Sequence, residues 1–340
     1  MKIVTCALTV MLLGPVVVDS RVVAQLSDAL HVCHAGSLLA AFVQVEEEFK
    51  KQHPNVTITD TSGGSVDLVR RFAAGQLECD VIAPADHLVI DAMLEPARLA
   101  DFSIVFASGR MVLAYSADDP KATALPVSGP FNPPATVPQV GAGWYDVLTR
   151  SGVRISGAHP FMDPGGYRAH LIFELAQSHY KLPGLHNALL QHYQINLADP
   201  SAPAPALALG KDFSFQFTYE HNAARTAKQD RSYRYAALPP DIDLSRDGSP
   251  AAIVIPGLGT EGSAAMVTIN ASRVEWGVTI PTKSRNREHA VAFLALLLGP
   301  AGRDALTTNG PTPLRPARVT AQDYDRLPGP VRILTTRASR

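Results

Sequence analysis

Cysteine is scarce, with three in 340 residues, at Cys6, Cys33 and Cys79, and so few cannot form a disulfide framework. Charge of either sign is not in excess. Thirty Lys plus Arg stand against thirty-one Asp plus Glu, a formal charge of -1, and the basic residues gather into no run that could track a phosphate backbone. That excludes a nucleic-acid partner. Catalytic signatures are missing as well: there is no Gly-x-Ser-x-Gly elbow, no His-Glu-x-x-His helix and no Gly-x-x-x-x-Gly-Lys phosphate loop. His34 with Ser37 is the one pair a hydrolase could use, and no carboxylate is identifiable to orient it. The chain reads as a binding protein and not an enzyme.

A long unbroken apolar run is absent too. The stretch 3–18 follows Lys2 but is broken at Gly14-Pro15, and it falls short of the roughly 20 residues of a membrane span. Small residues at Val22-Val23-Ala24 complete the pattern of a cleaved export signal over 1–24. The mature chain is therefore expected in the periplasm or otherwise outside the cytoplasm. Cys33 and Cys79 would be its only cysteines, allowing at most one bridge. Each lies in an apolar run, where a free cysteine behaves as a small buried hydrophobe, and burial is the reading adopted.

What is present is 46% hydrophobic residues, enough for two lobes with a core each. Short apolar runs alternate with helical periodicity, the pattern of parallel α/β units. Strands are read at 30–33, 56–59, around Val81-Ile82 and at 111–115. Between the first two, Leu38, Phe42, Val45 and Phe49 share one helix face, which His53-Pro54 ends. Six prolines between Pro120 and Pro138 mark a connector. A second α/β block then runs from Trp144 to about Ala271, with an aromatic strand over 213–219. The helix 287–298, closed by Gly299, is expected to return to the first lobe, and 318–340 to form a polar surface tail. The division is 25–115 plus 281–340 for one lobe and 116–280 for the other. Two crossings between lobes make a hinge and a ligand cleft.

Two small-residue turns join strands to helices, Ala35-Gly36-Ser37 and Ser62-Gly63-Gly64-Ser65. Ser37 and Ser65 occupy the N-cap position of each, and capping alone would account for them. Paired glycine-flanked helix starts also aim free amides at one sheet edge, an anion site built from neutral donors.

His34-Ala35-Gly36-Ser37-Leu38 resembles the molybdate and tungstate binding proteins of ABC importers, particularly the WtpA subgroup. The likeness continues through Ser62-Gly63-Gly64-Ser65-Val66, Asp80-Val81-Ile82-Ala83-Pro84-Ala85-Asp86 and the segment 106–115. It resumes at Trp144-Tyr145, Pro160-Phe161-Met162-Asp163-Pro164-Gly165-Gly166-Tyr167-Arg168, Leu238-Pro239-Pro240 and Gly277-Val278-Thr279-Ile280-Pro281. The resemblance implies a two-lobed type II periplasmic binding-protein fold of α/β class, no cofactor beyond the bound molybdate or tungstate, a membrane permease as partner, and a monomer. Ser37 and Ser65 match the serines that hold the anion, and Ala83 the region offering a backbone donor. Asp163 matches an aspartate that reaches the metal of the oxyanion, although Asp before Pro164 is equally a helix start. Tyr167 could donate to the anion or brace the lobes. The second carboxylate has two registers, Phe217-Thr218-Tyr219-Glu220 and Phe213-Ser214-Phe215-Gln216, which a period of two cannot separate. Glu220 would complete six-fold coordination of the metal; Gln216 would give a hydrogen-bonding site. Sulfate, phosphate or ferric ion are the competing ligands, and a sensor of the same fold the competing role. Paired tyrosines, which a ferric site wants, are missing, since Tyr219 stands alone in the suspected strand.

Overall fold

The computed structural model describes residues 29–195, 209–248, 250–256 and 266–338. The expected export signal lies outside them. Three parallel strands, β1 (Ala29–Ala35), β2 (Thr57–Gly63) and β3 (Val81–Ala83), order β2-β1-β3, with α1 (Leu39–Gln52) and α2 (Ser65–Ala73) as the helices of the crossovers. The apolar stripe read from spacing is buried: Leu38, at the turn just ahead of α1, and Phe42, Val45 and Phe49 of α1 are all within 1% of complete burial. Side chains of that size contribute about 1.5–3 kcal/mol each when fully buried.

β4 (Ile104–Gly109) and β5 (Met111–Ser116) follow, separated only by Arg110, yet they lie in different sheets. The second block supplies β6 (Val127–Ser128), β7 (Gln139–Val140), α3 (Trp144–Leu148), β8 (Ile155–Gly157), α4 (Pro164–Tyr180), α5 (Leu185–His192), β9 (Tyr193–Ile195), β10 (Phe215–Tyr219), α6 (Glu220–Gln229) and β11 (Tyr233–Ala237). Its seven-stranded sheet runs β6-β7-β11-β5-β10-β8-β9. A separate pair follows, β12 (Ala252–Pro256) with β13 (Met266–Asn270).

Then β14 (Val274–Val278), α7 (Arg287–Leu298), α8 (Pro300–Asn309), β15 (Thr312–Val319) and β16 (Thr335–Arg337) build a sheet of order β14-β4-β15-β16. Reciprocal hydrogen bonds between Ile82 and Thr279 tie this sheet to β3. α7 lays Phe293 against Phe42 and Phe49 of α1. Asp80 fixes the start of α7 by accepting from the backbone N–H groups of Arg285 and Asn286 at 2.9 and 3.0 Å.

Several expectations need correction. Residues 111–115 pair in the seven-stranded sheet, so the chain changes sheets at Arg110, and it changes back at β14, ahead of Pro281. The segment after Arg318 is no loose tail: β16 adds to the sheet and Leu327 and Val331 are buried. The aromatic strand begins at Phe215, later than Phe213. Cys33 and Cys79 are buried as expected, but they form a disulfide, with Cα atoms 5.8 Å apart. The parallel pairing of β1 with β3 places Cys33 opposite Ile82, and this brings the segment before β3 alongside β1.

A bridge across 46 positions restrains the unfolded chain by about 2–4 kcal/mol. Reduction, or Cys33→Ala with Cys79→Ala, is expected to lower the unfolding free energy by that amount in denaturant titration. An unchanged midpoint would show that the bridge contributes nothing.

Candidate functional site

The carboxyl edges of β1 and β2 face α4 and β10 across a cavity of about 230 Å³. It is smaller than the roughly 300–1,000 Å³ of sites for drug-sized ligands, which suits an ion. Gly36, Ser37 and Gly63 line one side; Asp163, Gly165, Gln216, Thr218, Tyr219 and Asn222 are among those lining the other. A larger cavity, about 360 Å³, opens near His31 and Asp80 at the amino edge of β1, away from the helix starts that the motifs place together.

Neither serine caps a helix. Gly36–Leu38 forms a tight 3-10 turn ahead of α1, and Gly64 precedes α2, so Ser65 is already helical. The Ser37 hydroxyl oxygen accepts from the Trp276 indole Nε1–H at 3.0 Å, and its carbonyl lies 2.9 Å from His221 Nε2. With the indole on its oxygen, the Ser37 O–H proton remains to donate. Tyr219 is the counterpart on β10: its hydroxyl oxygen accepts from Arg168 at 2.9 Å. Burial pushes the phenol up, so it stays neutral and keeps its proton. Two O–H donors, each with its oxygen engaged by an N–H group, therefore line the cavity.

Among the described residues, Asp163 is the only carboxylate in the cavity wall, and no Lys, Arg or His lines it. It is the N-cap of α4, accepting from Gly165 N–H at 2.7 Å ahead of Pro164. Desolvation raises its carboxyl above the ordinary value; the Gly165 N–H, the Arg168 charge and the Ser65 N–H act in the opposite sense.

Ser37, Asp163 and Gln216 thus meet at one cavity, and four other expected residues do not line it. The Ser65 hydroxyl accepts from Ala85 N–H at 2.9 Å. Ala83 is wholly buried in β3 beside His34. Tyr167 donates to Asp86 Oδ2 at 2.7 Å, which makes it a brace between the blocks. Glu220 opens α6 and its two carboxylate oxygens accept from Nε and Nη2 of Arg110. Of the two candidates for the second position, Gln216 lines the cavity and Glu220 does not.

The start of α2 also departs from expectation. Its amides at Val66 and Asp67 donate to the Met162 carbonyl at 3.0 and 3.2 Å, so protein groups occupy the donors expected to take an anion. This approach requires glycine at 64, because a Cβ there would lie 2.5 Å from the Met162 oxygen. Tyr219, Trp276 and His221 were missed as site residues. Trp276 stood directly before the Gly277-Val278-Thr279-Ile280-Pro281 motif, and Tyr219 in the strand already suspected, so both had a signal.

Two α/β blocks with a cavity between them form a two-lobed type II periplasmic binding-protein fold. The sulfate-binding protein SubI from Mycobacterium tuberculosis shares it, with a TM-score of 0.56 at 15% identity, covering 89% of this chain and 92% of that one. A family model described as bacterial extracellular solute-binding protein matches residues 30–311, and the chain belongs to that family. An uncharacterised solute-binding protein from Methanoculleus marisnigri is 28% identical over 315 residues, covering 85% of this chain and 82% of the relative. The molybdate/tungstate-binding protein WtpA of Pyrococcus abyssi is 26% identical over 334 residues, covering 91% of both.

Burial pushes His221 down to about 4 from its ordinary 6.5, a shift opposed by its contact with Ser37. The unfolded chain takes up that proton near 6.5 and the folded chain holds it off, so this contribution is complete above pH 6.5 and is lost as pH falls toward 4. Unfolding midpoints measured across that window are expected to fall less steeply for His221→Gln than for the wild type; parallel curves would contradict the assignment.

Proposed function

We propose that this chain captures molybdate or tungstate outside the cytoplasm and, as a monomer, delivers it to the membrane permease of an ATP-driven importer. The observation that carries the reading is the cavity wall: among the described residues it offers the Ser37 and Tyr219 hydroxyls with one carboxylate, Asp163, and no cationic side chain. Neutral donors suit a fully ionised tetrahedral anion, but a carboxylate repels its oxygens. Hard, electron-poor molybdenum(VI) or tungsten(VI) resolves that conflict by accepting an Asp163 oxygen. The WtpA relative supports the same ligand class, and the disulfide suits an oxidising compartment. Gln216, a neutral group where a second carboxylate was sought, favours sulfate as the second reading.

Closure follows from the contacts already described. The anion engages Ser37 on one lobe and Tyr219 on the other, and a ligand that prefers the closed state shifts the population toward it.

Calorimetric titration of the mature protein with molybdate, tungstate, sulfate and phosphate is expected to show tight binding of the first two only. Ser37→Ala should weaken every bound anion by about 1.5–3 kcal/mol, the worth of a hydrogen bond to a charged group. Gly64→Ala should weaken them all as well, by loss of two backbone bonds at roughly 0.5–1.5 kcal/mol each. Asp163→Asn keeps the helix cap and should remove the preference for metal oxyanions over sulfate. Gln216→Ala should weaken binding and Glu220→Ala should leave it nearly unchanged. Preference for sulfate in the wild type would replace the ligand and keep the fold.

A further inference from the structure

His34, Glu46 and Asp60 come from β1, α1 and β2, and their ligating atoms all lie within 4.8 Å of one another. The parallel register explains the juxtaposition. His34 pairs with Ser62 and Val32 with Asp60, so His34 and Asp60 are diagonal neighbours with side chains on one face, and Glu46 approaches from the helix that follows β1. His34 is 1% and Glu46 7% exposed. The His34 Nδ1 lies 2.8 Å from the Ala35 carbonyl, which can only accept, so Nδ1 carries the proton. That leaves Nε2 directed toward the carboxylates and able to ligate, the arrangement that a backbone acceptor imposes on metal-binding histidines.

Nothing among the described residues completes this cluster. Asp60 Oδ1 stands 2.8 Å from Nε2, yet Nε2 has no hydrogen-bond partner, nor does the buried Glu46 Oε1. A lone pair and two carboxylates directed at one another repel unless a proton or a metal cation lies between them. The Asp60 side chain is 27% exposed and gives access from solvent.

We propose that His34, Glu46 and Asp60 bind one first-row divalent cation of the zinc, cobalt or manganese class. One imidazole nitrogen and two carboxylate oxygens form a three-ligand site with a position left for water. The ion would tie β1, β2 and α1 together directly behind the turn that carries Ser37. Its binding does not depend on the identity of the transported anion.

The test is titration of the tag-free, anion-free full mature chain with Co²⁺, followed by visible absorption and displacement by Zn²⁺. The expected result is one Co²⁺ per chain with d–d bands that Zn²⁺ abolishes, and at least about a tenfold loss of affinity in Glu46→Gln. Asp60→Asn changes the more exposed ligand and serves as the second variant, with the same loss expected and folding checked by circular dichroism. Absence of stoichiometric bands in the wild type, or folded variants that bind Co²⁺ as the wild type does, overturns the site and leaves a proton shared within the cluster.

Discussion

Arg168 is the constraint around which the site is organised. It is buried to 1% exposure, and a charge in that setting persists only if its surroundings satisfy it. One guanidinium nitrogen donates to the Ala85 carbonyl at 2.7 Å and to the Tyr219 hydroxyl at 2.9 Å, and another lies 3.2 Å from Asp86 Oδ2. Tyr167 completes the set by donating to the same carboxylate. The loop after β3 is thereby coupled to α4 and, through Tyr219, to β10. Removing the guanidinium would leave Asp86 buried without its counter-charge and Tyr219 without the donor that orients it.

Tyr219 and Ser37 then face one cavity from opposite sides, each with its oxygen already engaged. The same logic shapes the rest of the wall. Met162 and Asp163 accept the α2 amides and the Ser65 N–H, so the start of α2 closes the lobes and does not present an empty anion cradle. Arg110, at the change from β4 to β5, holds Glu220 outside the cavity. What remains facing the cavity is mainly neutral, with Asp163 the exception on which the proposed metal-oxyanion reading rests.

Much of this was legible in the sequence because it is local. The stripe Leu38, Phe42, Val45 and Phe49, the helix ending at Gly299 and the Asp163-Pro164 start each depend on residues within a few positions. Other features depend on register between distant segments. Whether Cys33 meets Cys79 follows from the pairing of β1 with β3, and whether Gln216 or Glu220 faces the cavity follows from where β10 gives way to α6. A period of two marks both registers alike. The serines misled for a related reason: a 3-10 turn and a glycine cap shift each helix start by only a residue or two, enough to free both hydroxyls from capping. His34, Glu46 and Asp60 belong to three separate elements, and no spacing announces them.

The central claim is that the oxyanion sits between Ser37, Tyr219 and Asp163 with Gln216, not Glu220, beside it. X-ray absorption at the molybdenum edge of the molybdate-loaded protein tests this most directly. The account predicts four oxo ligands joined by no more than one further oxygen, from Asp163. A six-coordinate metal with two carboxylate oxygens would contradict it, because Glu220 would then have to leave Arg110 and enter the site.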